Sequence, residues 1–165
     1  MKKTAVVILN YNGKKWLKKF LPTFVKHSKE ADIIIIDNGS NDDSVSFIRK
    51  EFPYLQVIIL KENLGFAGGY NEGLKKLNHS YFIIVNSDIE VTENWITPNI
   101  KILESNENIV AIQPKIKSFN DKSKFEHAGA AGGWIDKLGF PFCRGRVIDT
   151  IESDHNHYDD KIEIF

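Results

Sequence analysis

One cysteine in 165 residues, Cys143, leaves no pair for an intramolecular disulfide, so a hydrophobic core must hold the fold, as suits a reducing compartment. Charge of one sign is not in excess either. Twenty-two Lys and Arg balance 22 Asp and Glu, so no global field draws the chain to nucleic acid or to an anionic membrane, and only local patches remain. No apolar run approaches the roughly 18 residues of a membrane span. Lys2-Lys3 followed by Ala5 to Leu9 imitates a secretory leader, but the apolar stretch stops at Asn10 and no small-residue cleavage site follows. Low-complexity tracts and internal repeats are lacking too. These absences point to a cytoplasmic globular chain, and 42% hydrophobic residues supply apolar surface for one good core.

What is present is an alternation of two periodicities. Ala5 to Leu9, Ile33 to Ile36, Val57 to Leu60 and Phe82 to Val85 are short continuous apolar runs rich in Val and Ile, the pattern of parallel strands covered on both faces. Between them Lys14 to His27 sets Trp16, Leu17, Phe20, Leu21 and Phe24 at helical spacing. Ser44 to Phe52 follows an Asn41-Asp42-Asp43 capping cluster, and Gly69 to Leu77 follows a glycine loop. A further helix over Glu93 to Ser105 and a strand at Val110 to Ile112 complete the series. Right-handed crossovers then favour an α/β fold with a doubly wound, mostly parallel sheet. After about Lys115 the pattern changes: Ala128 to Gly145 is rich in glycine and aromatics and predicts irregular structure or short hairpins. The chain therefore reads as an α/β half over 1–115 and the start of a second half over 116–165. It closes on an alternating run, Lys161 to Phe165, that resembles a strand cut short.

Polar clusters end three of the apolar runs. Asn10-Tyr11-Asn12-Gly13, Asp37-Asn38-Gly39-Ser40 and Asn86-Ser87-Asp88 all fall where strands stop, and an open α/β sheet builds its ligand crevice outside those carboxyl ends. Asn63-Leu64-Gly65-Phe66-Ala67-Gly68-Gly69-Tyr70-Asn71 adds a glycine-rich loop ahead of a helix, where backbone N–H groups and the helix dipole suit a phosphate. Its spacing is neither G-x-G-x-x-G nor a Walker loop, and a plain glycine turn accounts for it equally. Asp37 likewise serves as turn and cap chemistry, or as an acceptor for a nucleotide's ribose or base. Thr92 is the better cap for the helix after Asp88, which leaves that carboxylate for Mg2+ or Mn2+, ions held by one or two carboxylates plus substrate phosphates.

Together these segments resemble the family 2 glycosyltransferases of GT-A fold, nearest to their bacterial rhamnosyltransferase-like branch. The resemblance runs through Val6 to Gly13, Ile36 to Asp42, Asn63 to Gly69 and Val85 to Asp88, in order and in spacing. It implies an inverting transfer from a nucleoside-diphosphate sugar of UDP, dTDP or GDP type to a glycan or lipid-linked acceptor, in cell-surface polysaccharide synthesis. It implies nucleoside contacts from Asn10, Tyr11, Asn12, Asp37 and Asn38, and nucleoside or diphosphate contacts from Asn63, Gly65, Phe66, Gly68 and Asn71. Asn86-Ser87-Asp88 stands where the family has Asp-x-Asp, so Asp88 is the single expected metal ligand beside Asn86. The family's catalytic base sits in a later acidic motif that has no counterpart before Phe165. The base is thus expected beyond Phe165, and the 165 residues are expected to bind donor without completing transfer. Peripheral association with the inner face of a membrane would come through segments outside them.

Other chemistry-bearing residues have plainer readings. Asp154, His155, His157 and Asp159 could hold a transition metal, but alternating histidines in a loop lack a ligand geometry, so a polar surface loop is expected; Asp154, Asp159 and Asp160 lie upstream of where the base motif should begin and read as a solvated acidic loop. His127 is placed near the sugar pocket, and Trp134, Phe140 and Phe142 in the core. Cys143 beside Arg144 has no paired His and reads as structural. Two other functions fit the same crevice: a nucleotidyltransferase-like enzyme, disfavoured because Asn10 to Lys15 carries one glycine, and a non-catalytic nucleotide-sugar-binding module.

Overall fold

A computed structural model describes residues 2–126, 132–147 and 149–156. The chain divides at Ile100 into two compact units. In the first, four parallel strands form one sheet in the order β3-β2-β1-β4: β1 is Thr4–Asn10, β2 Asp32–Asp37, β3 Gln56–Ile59 and β4 Tyr81–Asn86. The chain enters in the middle, winds outward through α1 (Lys14–His27) and α2 (Ser44–Glu51) to β3, then returns through α3 (Gly65–Leu74) to the other side of β1. The winding therefore reverses between β1 and β4, which is where such sheets open a crevice.

Period-two alternation assigns each strand residue to a layer. Val6, Ile8 and Ile35 pack with Leu17, Phe20, Leu21 and Phe24 of α1 and Ile48 of α2. Ala5, Val7, Leu9, Ile34, Ile36 and Ile58 pack on the opposite face with Tyr70 and Leu74 of α3. With both faces covered at the centre, all of β1 is buried, which is why that segment reads as one continuous apolar run. The Tyr70 hydroxyl donates to the Val85 carbonyl at 2.8 Å and ties α3 to β4, and burial pushes its pKa up to about 12.

Three expectations are corrected. The helix expected from Gly69 begins at Gly65, so Gly68 and Gly69 lie inside it. The bare Cα of Gly69 and of Gly73 serves close helix-to-sheet approach: a Cβ on Gly73 would stand 2.1 Å from Cδ1 of Ile36, and one on Gly69 2.9 Å from Cδ1 of Leu9. The helix expected from Glu93 is α4, Thr97–Ser105. Its anticipated first turn is spent on the core, where Val91, Trp95 and Ile96 pack with α1, and the Trp95 indole donates to Ser28 Oγ at 3.1 Å. Val110 to Ile112 is no strand: Val110 is 91% exposed and Ile112 half-buried, and no strand among the described residues pairs with the triplet.

The second unit carries a short hairpin within the stretch Ala128 to Gly145, β5 (Gly133–Ile135) against β6 (Pro141–Cys143), and beyond that stretch a further pair, β7 (Arg146–Val147) against β8 (Thr150–Ile151). Phe125, 1% exposed, packs with Ile116 and Ile151. Phe140 and Phe142, expected in the core, are 66% and 50% exposed among the described residues. Asp154 is likewise not a solvated loop residue. Its side chain is fully buried, with Lys117 Nζ at 2.6 Å and Lys115 Nζ at 3.1 Å. The Lys117 ammonium, with Lys115 beside it, holds the carboxyl well below its ordinary 3.8. A depressed carboxyl contributes stability above its unfolded value, lost as pH falls below 3.8 through the folded one. Asp154→Asn is accordingly expected to make this unit pepsin-sensitive at pH values where the parent still resists; identical cleavage profiles would show that the pair does not hold the unit. His127, His157, Asp159, Asp160 and residues 161–165 lie outside the described residues.

Candidate functional site

The parallel register puts three polar tips side by side. Asn10 pairs with Asp37 and Leu9 with Asn86, so the ends of β2, β1 and β4 finish level. The backbone ladder continues past the strands, with Asn38 N–H donating to Asn10 O and Leu60 N–H to Asp37 O, each at 2.8 Å. The polar residues beyond are thereby held by main-chain bonds before any side chain acts.

Side chains then divide into a buried tier and an exposed tier. Asn10, Asp37 and Asn38 are 0%, 1% and 2% exposed. Asn10 Nδ2 donates to Asp37 Oδ1 at 2.9 Å and to Ser40 Oγ at 3.2 Å, while Asp37 Oδ2 accepts the Ser40 N–H at 3.0 Å. Ser40 Oγ also accepts the Asn12 N–H at 2.9 Å. Asn12 stands at φ 50°, a conformation Asn tolerates, and its Oδ1 accepts from the backbone of Asn41 and Asp42. The first two tips are therefore one hydrogen-bonded body. Among the described residues Asn10 Oδ1 has no hydrogen-bond partner, and it lies 2.3 Å from where a Gly13 Cβ would be, so a side chain at 13 would displace it.

Asn38 joins this body to the start of α3. Its Oδ1 accepts from Leu64 N at 3.0 Å, and its Nδ2 donates to Asn63 Oδ1 at 2.9 Å and to Gly65 O at 3.0 Å. Asn63 Oδ1 in turn accepts from Gly65 N at 2.9 Å, which satisfies one of the orphan donors at the head of α3. Gly39 at φ 72° brings the backbones together, since a Cβ there would lie 2.6 Å from the Glu62 carbonyl carbon.

Over this base stands the exposed tier: Tyr11 (48%), Asn12, Asn63, Gly65, Phe66 (68%), Asn86 and Asp88. Gly68 is half-buried against Leu64, and Asn71 is exposed about 9 Å along α3 from Gly65, the residue set furthest from the helix start. The structure thus gathers the strand-tip residues and the head of α3 at one end of the sheet. Ser40, Gly13 and Gly39 were not among the expected site residues; the Asp37-x-x-Ser40 turn spacing is the signal that points to the first. Among the described residues no group of three or more His, Cys, Asp or Glu is arranged to hold a metal. A hollow of about 350 Å³ opens at the opposite end, beside Lys2, Asp32 and Gln56, away from these tips.

Comparison with known proteins bears on the same region. The profile of Glycosyl transferase family 2 matches residues 5–140. An uncharacterized glycosyltransferase of Bacillus subtilis, YfnE, is 32% identical over 113 residues, covering 66% of this chain and 29% of YfnE. Glycosyltransferase GlyA of Streptococcus pneumoniae is 30% identical over 98 residues, covering 57% of this chain and 14% of GlyA. The chain spans less than a third of these curated relatives. Among solved structures, S. aureus TarS 1-349 in complex with UDP-GlcNAc superposes with a TM-score of 0.56 at 22% identity, covering 65% of this chain and 32% of TarS 1-349. Mannosyltransferase PcManGT from Pyrobaculum calidifontis, in complex with GDP-Man and Mn2+, gives 0.61 at 18%, covering 72% and 36%. The α/β arrangement is that of GT-A glycosyltransferases.

Proposed function

The chain belongs to glycosyl transferase family 2, and we propose on that premise that the crevice over β1, β2 and β4 binds a nucleoside-diphosphate sugar as donor for transfer to an acceptor. The observation that carries the reading is the two-tier site. A rigid polar base with exposed aromatic, amide and carboxylate groups above it, next to a helix start, matches the parts of such a donor. In this reading Tyr11, Asn12 and Phe66 border the nucleoside, and Asp37 at the floor offers the second lone pairs of its carboxylate. Asn63, Gly65, Gly68 and the first-turn N–H groups of α3 lie by the diphosphate, with Asn71 further along, and Asn86 borders the β4 side. Asn10 and Asn38 act from beneath.

Asp88 is the exposed carboxylate at the β4 tip, and a single carboxylate fits Mg2+ or Mn2+ that takes its remaining ligands from ligand phosphates and water. Such an ion would offset charge on the leaving diphosphate. A carboxylate given to a cation is not a general base, so the strand-tip set accounts for donor recognition rather than for proton removal from an acceptor. The proposal extends to inverting transfer, of the rhamnosyltransferase-like kind, onto a glycan or lipid-linked acceptor in surface polysaccharide synthesis at the cytoplasmic side of a membrane. Support comes from the four matching segments and from neighbours bound to UDP-GlcNAc and to GDP-Man with Mn2+.

Calorimetric titration with UDP, dTDP and GDP, each with and without Mn2+, tests the donor site. One nucleotide is expected to bind, and more tightly with Mn2+. Absence of binding by all three under both conditions would overturn the reading.

A further inference from the structure

Net neutrality conceals a steep asymmetry. The first 29 residues hold eight lysines, at 2, 3, 14, 15, 18, 19, 26 and 29, and no acid; all 22 acidic residues follow, beginning at Glu30. Six of the eight lie on or next to α1. From these we infer that the outer face of α1 is a docking surface for an anionic phospholipid membrane. The inference does not depend on the donor site.

The face is fixed by packing. Leu17, Phe20, Leu21 and Phe24 are buried against the sheet, so the other side of the helix points outward. Lys15, Lys18, Pro22, Lys26 and Lys29 are exposed, and their spacing of three and four residues draws one stripe along the helix and just past its end. Lys15 to Lys26 spans about 16 Å. Four of the eight are engaged elsewhere: Lys14 pairs with Asp43 at 2.8 Å, Lys2 Nζ donates to the carbonyls of Lys29 and Ala31, Lys3 Nζ lies 5.0 Å from the Tyr81 ring, and Lys19 Nζ lies 4.9 Å from the Phe20 ring. Flanking charges mark the ends of the stripe rather than its length. Asp42 and Asp43 sit at the α1 start, Glu30 lies beyond its end, and neighbouring α2 presents Arg49, Lys50 and Glu51.

A straight row of ammonium groups on a convex helix complements a flat anionic surface, where each lysine within a Debye length adds attraction. Trp16, 39% exposed and stacked on Phe20 at 6.2 Å, lies beside the row with Lys15 Nζ 4.9 Å from its ring. An amphipathic indole flanked by lysines suits the headgroup layer. Nucleic acid fits the face less well: Arg49, Arg144 and Arg146, the chain's arginines, are all off α1, so the helix offers point charges without the planar forks that grip phosphates and base edges.

Co-sedimentation of this protein with vesicles of phosphatidylcholine, alone or mixed with phosphatidylglycerol, is the test. Binding to the mixed vesicles only, weakening as salt rises, is expected. The triple variant K15E/K18E/K26E should bind about tenfold less or weaker still, whereas a triple of equal charge change elsewhere, K50E/K76E/K101E, should lose less than about twofold. Both should keep a cooperative thermal transition, and if the first does not, K15Q/K18Q/K26Q replaces it. Failure to bind phosphatidylglycerol, equal binding to both vesicles, equal loss in both triples, or displacement from vesicles by polyuridylate would each overturn the inference.

Discussion

Gly39→Ala is expected to lower unfolding free energy by about 2–4 kcal/mol and to remove nucleotide binding together with it. Two costs add at this position. The residue sits at φ 72°, which an L side chain enters at about 1–2 kcal/mol. Its Cβ would also meet the Glu62 backbone at 2.6 and 2.7 Å and Asn63 N at 3.0 Å, atoms that cannot swing aside as a side-chain end could. Relief requires the β2–α2 and β3–α3 loops to part, and that breaks the bonds from Asn38 to Leu64, Asn63 and Gly65. Gly65→Ala supplies the control, because Gly65 stands at φ 70° with nothing within 4 Å of an added Cβ. It should cost about 1 kcal/mol from strain alone. Urea unfolding of both variants separates the terms, and equal losses would mean that the loop-to-loop contact contributes nothing.

That contrast also shows where sequence reading stops. The strands were legible because Ile33 to Ile36 and Ala5 to Leu9 are covered on both faces, which leaves an unbroken apolar signature. Helix α1 was legible in full from its spacing. The start of α3 was not: glycine lowers helix propensity, yet here Gly69 and Gly73 are selected by the closeness of Asn38, Leu9 and Ile36, a fact of the other layer. The apolar triplet Val110 to Ile112 carried a strand signature without a strand to pair with among the described residues. The same limit applies to charge. Asp154 reads as a solvated acid because its partners Lys115 and Lys117 are far back in the chain, Lys115 being 39 residues away.

Sequence put the polar clusters at the carboxyl ends of β1, β2 and β4, where the register brings them level, and it could not say which of their members are buried and which exposed. Strand tips announce polar residues, but whether Asn10 faces solvent or ties Asp37 to Ser40 depends on a neighbouring strand 27 residues on. Tyr11 and Asn12, adjacent in sequence to Asn10, are exposed because they lie beyond the end of the β1 ladder.

Asp88→Ala is expected to abolish the gain in nucleotide affinity that Mn2+ brings, with metal-free affinity unchanged and unfolding free energy within about 0.5 kcal/mol of the parent. The stability half follows from position. Asp88 is exposed in the turn after β4, and among the described residues none hydrogen-bonds to its carboxylate or forms an ion pair with it, so its removal leaves no buried partner unsatisfied. The binding half follows from scarcity. Asn86 and Ser87 offer neutral oxygens, and among the described residues no group of three or more His, Cys, Asp or Glu is arranged to hold a metal, so the substitution removes the anionic ligand that the β4 tip provides. Asp88→Asn refines the point, since it keeps shape and one oxygen while losing the charge. If charge is what the cation requires, Asn should behave as Ala does, and if an oxygen suffices, part of the Mn2+ effect should survive. Calorimetry of both variants with the nucleotide that the parent binds, in Mn2+ and in chelator, reads the outcome. Retention of the full Mn2+ gain in Asp88→Ala would remove this residue from the metal site and move the search to groups outside the β4 tip.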